Sequence, residues 1–225
     1  MPEFPLSNEG PDAAGSARTG AGVLMITAGL WAVTIIGFPL IGPLAIVLGI
    51  AAIAGTIAGC WKLTAAFGRA PRTRSMIAAR VGPVGLAATL VCAPGLEIAP
   101  GWIVIALLTC LVGFSATTVI ALGMVCTHLA ARIPSHRAIR STRRYRRWAA
   151  ILSIASAVAP FAVWGLFKTF EAGSGPPTGY DELGWFLGAV AIVGLPLVII
   201  TIVTVVMFFI AMTGLRRALK PLIES

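Results

Sequence analysis

Few residues in this chain could do chemistry, and their spacing keeps them apart. Gly113-Phe114-Ser115-Ala116 has the outline of an intramembrane serine nucleophile. Such a serine needs a base within hydrogen-bond reach. The two histidines are His128 and His136. Along one helix His128 stands about 20 Å from Ser115, and His136 lies in a basic segment, so serine hydrolysis is not expected. Tyr180-Asp181 resembles half of an intramembrane aspartyl dyad, but no second aspartate falls in an apolar stretch. Cys60, Cys126 and His128 are of metal-ligating type and could approach one another. The expectation is nevertheless of unliganded residues at a membrane interface, with no catalytic residue, metal or cofactor. The four cysteines, Cys60, Cys92, Cys110 and Cys126, contain no CxxC pair and read as small apolar side chains. Cys60 and Cys126 also fall at span ends, where S-acylation is chemically open.

The densest polar feature runs from Ser135 to Trp148. It contains Arg137, Arg140, Arg143, Arg144, Arg146 and Arg147. Positions 137, 140, 144 and 147 share a face if the segment is helical. With Tyr145 and Trp148 as headgroup anchors, the segment suits an anionic lipid surface, or an acidic cytoplasmic or membrane protein. Nucleic acid is not expected, because the basic residues flank apolar stretches and do not cover a folded basic domain.

The elements that position these residues are apolar. Of 225 residues, 58% are apolar and 11% charged, the net charge is +9, and mean hydropathy is +0.94. A soluble domain carries about a quarter charged residues. The pattern is that of an all-α integral membrane protein. Residues 22–61 would make one helix about 60 Å long, twice the hydrocarbon thickness. The block must fold back, and Phe38-Pro39-Leu40-Ile41-Gly42-Pro43 supplies the break. Residues 81–127 break in the same way between Pro94 and Pro100, around Glu97, an outer-turn carboxylate that could act as a gate or contact. The spacing predicts six spans at 22–39, 43–61, 81–96, 101–127, 148–167 and 184–214, arranged as three helical hairpins. Residues 1–21 read as a disordered tail ahead of an uncleaved first span, and residues 216–225 as a short tail.

Charge sets the orientation. Sixteen of the seventeen Lys and Arg residues lie in the tails and in residues 62–80 and 128–147, and Lys168 is the exception. Basic segments stay inside, so both termini are expected in the cytoplasm. Trp61 and Trp148 then mark the inner interface, Trp102 and Trp185 the outer one, and Trp31 should face a neighbouring helix. The excess of Arg over Lys, with abundant Ala and Gly, fits a bacterial inner (plasma) membrane.

Small residues offer packing stripes: Ala51, Gly55 and Gly59; Gly113, Thr117 and Ala121; Ala149, Ser153 and Ala157; Gly184 and Gly188. Pro160 and Pro196 each remove a backbone hydrogen bond within a span. With Ser153, Ser156, Thr201 and Thr204 they outline either two kinks or a polar pathway. No ionisable residue falls centrally in any span, which argues against a proton-coupled pump or relay. No resemblance to a known family reaches motif level. The expected role is a non-enzymatic accessory or assembly subunit of a membrane complex, and the alternative is a small permease for a neutral or apolar solute.

Overall fold

A computed structural model describes residues 11–41, 43–67, 74–91, 101–174 and 179–224. Among these the chain is helical, without strands. Six long helices follow in order: α1 (Pro11–Ile41), α2 (Pro43–Ala65), α3 (Arg74–Val91), α4 (Gly101–Ala131), α5 (His136–Ser174) and α6 (Gly179–Leu219). A single turn, α7 (Pro221–Glu224), ends the chain. Pro11, Pro43 and Pro221 each open a helix, where proline's missing N–H costs nothing. Four helices, α2, α4, α5 and α6, contain stretches long and apolar enough to cross a membrane.

Consecutive helices pack antiparallel. On α1 and α2, Gly20 sits against Gly59 and Leu63, Thr27 against Gly55, and Thr34 against Gly49. On α3 and α4, Gly82 meets Thr118 and Gly85 meets Phe114. On α5 and α6, Gly214 meets Ser141, and Thr204 Oγ1 lies 3.3 Å from the Trp148 carbonyl oxygen. Further contacts join α2 to α3, α4 to α5 and α6 to α1, so the six helices close a ring.

Threonines on these helices satisfy their hydroxyls locally. Thr34, Thr56, Thr89, Thr118, Thr201 and Thr204 each donate to the carbonyl four residues back, at 2.7–2.8 Å. That geometry lets a hydroxyl enter apolar surroundings without an orphaned donor. The helices run unbroken through Pro83, Pro160 and Pro196.

Several expected boundaries move. Residues 11–21, expected in the disordered tail, form the first turns of α1, and Ala14, Ala17, Gly20 and Ala21 are buried. Small side chains let this stretch lie directly on the end of α2, where Ser16 Oγ donates to the Lys62 carbonyl at 3.0 Å. The third helix starts at Arg74, not at residue 81, because Met76 and Ala79 enter the core. Residues 216–219, expected in the tail, continue α6, since Leu215 and Leu219 are fully buried. α7 then packs on α1. The expected segments 1–10, 92–100 and 175–178 lie outside the described residues, and so does Gly42.

Candidate functional site

The buried side chains of the described residues concentrate at one end of the ring. Leu63 of α2 and Phe67 in the turn after it, Val125 and Leu129 of α4, Tyr145 of α5, and Met212, Leu215 and Leu219 of α6 belong to one cluster. The same end carries basic residues of several helices. Two of them are held by specific contacts. Arg80 Nε donates to Thr64 Oγ1 at 2.7 Å, and its guanidinium lies 5.7 Å from the Trp61 ring centroid. The guanidinium of Arg132 lies 4.9 Å from the Phe67 ring centroid. Cation–π geometry of this kind favours a charge beside an apolar core.

α5 begins at this end. Residues 132–135 make the tight turn from α4, and Ser135 Oγ accepts from Ala138 N at 3.3 Å. A serine oxygen on the N–H three residues ahead is an N-cap, and it satisfies one of the orphan donors. The segment that follows was expected as a loop. It is helical because Ala138, Thr142, Tyr145, Ala149 and Ser153 form a buried stripe at helical spacing. The opposite face holds Arg137, Arg140, Arg143, Arg144 and Arg147, while Arg146 lies at its edge against Gly123 of α4, and all six are exposed. Among the described residues none of the six forms an ion pair. α5 has no acidic residue in its first turn, where the positive end of the helix dipole opposes nearby cations. This face therefore carries uncompensated positive charge on a rigid support.

Beside it lies a half-open cleft of about 520 Å³ between the start of α5 and the end of α6. Arg137 and Arg217 stand on its walls with Ser135, Ser141 and Thr213, while Phe209 and Ile210 supply an apolar side.

The other residues singled out in the sequence do not converge. Ser153 donates to the Ala149 carbonyl at 2.8 Å and lies 3.5 Å from that of Ala116, so it faces α4. Thr204 faces α5, whereas Thr201, Pro160 and Pro196 are exposed, and Ser156 is half-buried. No polar pathway between α5 and α6 is assembled from them. Trp148 and Trp31 are half-buried and Trp61 is exposed. Tyr145, expected at the headgroups, is only 2% exposed. Its place in the buried stripe puts it against Phe208, not lipid. Cys126 is buried and His128 exposed, two residues apart on opposite faces of α4. Cys60 and Cys126 are free and buried, so neither thiol is open to acylation. Among the described residues no group of three metal-ligating side chains assembles. Glu97 lies outside the described residues.

Two features escaped the sequence reading. The cleft joins residues about eighty positions apart, and only the Ser135 cap was locally visible. The glycines of α3 were also missed, although Gly82-Pro83-Val84-Gly85 is a legible small-residue patch.

Comparison with protein-family models, curated proteins and solved structures gives no match. The class rests on the molecule itself. Among the described residues it is helical, with four helices long and apolar enough to cross a membrane, and it has the composition of a membrane protein and a basic, helical, well-packed end.

Proposed function

We propose that the chain is a six-span protein of the plasma membrane, built of three helical hairpins with both termini in the cytoplasm. We propose further that it serves as a non-enzymatic accessory or assembly subunit. The antiparallel pairing of α1 with α2, α3 with α4 and α5 with α6 supports the hairpins. The gathering of Lys62, Arg80, Arg132 and Arg216 at one end of the ring supports the orientation, since basic ends stay inside. Reporter tags after residues 75 and 140 should share one compartment, and a tag after residue 175 should report the opposite one. A tag at 75 on the same side as 175 would sink the threading.

The observation that carries the role is the exposed arginine face of α5, rigid and unpaired. Such a surface steers and orients an acidic partner. The outward-facing Thr201, Pro160 and Pro196 favour this role over a solute path between α5 and α6. Arg140, Arg143, Arg144 and Arg147 replaced together by Gln should lower recovery of acidic co-purifying proteins by about tenfold or more. The membrane level of the chain should stay unchanged. Quantitative mass spectrometry of mild-detergent pull-downs measures both. An identical set of companions for variant and wild type would count against the docking role.

A further inference from the structure

We infer that the cleft between the start of α5 and the end of α6 is a discrete site for one anionic phospholipid. The site rests on the membrane reading above only in that the cleft must lie at headgroup level.

Its upper part is made for a phosphate group. Arg137 and Arg217 reach it from two helices, and neither has an ion-pair partner among the described residues. Guanidinium and phosphate form charge-assisted hydrogen bonds of matched geometry. The hydroxyls complete the set. Ser135 Oγ accepts from Ala138 N, so its own proton is free to donate. Thr201 and Thr204 spend their protons on carbonyls of α6 itself. Thr213, on the same helix and lining the cleft, has no hydrogen-bond partner among the described residues.

Its lower part is made for an acyl chain. Below Arg217 and Thr213, the same side of α6 continues through Ile210, Val206, Ile202, Ile199 and Leu195. These are 50%, 49%, 58%, 54% and 66% exposed. From residue 210 to residue 195 the helix rises about 22 Å, more than one leaflet of a core about 30 Å thick. One strip thus presents charge, then hydroxyl, then hydrocarbon, in the order of a phospholipid. A free phosphate would leave the apolar strip uncovered. An acidic protein would have to reach below the headgroups to fill it.

The test uses the full chain purified in mild detergent and native mass spectrometry with added phosphatidylglycerol or phosphatidylcholine of identical acyl chains. Wild type should retain one phosphatidylglycerol in preference to phosphatidylcholine. Arg137→Gln with Arg217→Gln should weaken that first adduct by about thirtyfold, at the usual contribution of a basic residue near an anionic surface. Thr213→Val should weaken it less, and Arg143→Gln with Arg144→Gln, on the outward face, should leave it unchanged. Equal loss in the outward pair would overturn the site in favour of diffuse attraction. Displacement of the lipid by inorganic phosphate, or no preference between the lipids, would also overturn it. Alkaline carbonate extraction of the same membranes separates the two readings. If wild type stays in the pellet but shows no lipid preference, the site alone fails. If it washes out, the membrane reading fails with it.

Discussion

Replacing Gly20 by leucine is expected to unseat α1 from α2 and to destabilise the protein by about 3 kcal/mol or more, the upper range for overpacking a close contact. A Cβ at Gly20 would stand 2.6 Å from the backbone nitrogen of Leu63 and 3.0 Å from the Gly59 carbonyl oxygen. Backbone atoms cannot rotate away as a side-chain tip can, so the two helices must separate. In lipid, helix association relies on such close approach and not on hydrophobic burial, and a gap here forfeits neighbouring contacts as well. The reciprocal position is just as tight, since a Cβ at Gly59 would meet Leu24 Cγ at 2.6 Å. The melting midpoint of the detergent-solubilised chain should fall by on the order of 10 °C for Gly20→Leu. Gly29→Ala, on the same helix with nothing within 4 Å, should melt as wild type does. Wild-type melting of Gly20→Leu would return residues 11–21 to the status of a loose tail.

That contrast shows which features a reader of the sequence can recover. The apolar blocks and the breaks near residue 42 and residues 92–100 follow from composition and from Pro and Gly, so the order of six helices was legible. Segment 11–21 was not, because Ala, Gly and Ser are shared by linkers and by tight helix contacts. Only the spacing of Ala14, Ala17, Ala21 and Leu24 distinguishes the two, and it acquires meaning once Gly59 and Leu63 are placed opposite. The small-residue stripes were half right for the same reason. Gly55 and Gly59 do meet α1, whereas Gly113, Gly184 and Gly188 have nothing within 4 Å, and Ala51, Thr117 and Ala157 are exposed. On α4 the contacting face runs instead through Phe114, Thr118, Ala121 and Val125. In the basic segment, seven arginines between residues 132 and 147 mask a helix-spaced stripe of Ala138, Thr142, Tyr145 and Ala149. The residues between the charges decide the structure of this segment. The cleft was illegible because it depends on bringing Arg137 beside Arg217, which no local pattern encodes.

Tyr145 links that stripe to the rest of the molecule, and its truncation should have the largest effect of any single substitution at this end. Its ring lies edge-on to Phe208 with centroids 5.4 Å apart, and Phe208 in turn meets Phe209 at 5.8 Å. It belongs to one buried cluster with Cys60 of α2, Cys126 of α4 and Met212 of α6, to which four helices contribute. Removing a buried aromatic side chain typically costs about 3–5 kcal/mol, and Tyr145→Ala is expected in that range. Tyr145→Phe should behave in the opposite sense. The phenol is buried and has no hydrogen-bond partner among the described residues. Deleting it removes a desolvated polar group whose burial costs about 1–3 kcal/mol, so the phenylalanine variant should melt at or above the wild-type temperature. Equal destabilisation by both substitutions would mean that the hydroxyl is bonded and that the site is polar by design. The outcome reaches beyond stability. Arg140, Arg143, Arg144 and Arg147 are held in one array only because the opposite face of α5 is packed. Tyr145→Ala should therefore weaken both the proposed acidic-protein docking and the proposed lipid retention with every arginine still present, whereas Tyr145→Phe should leave both intact.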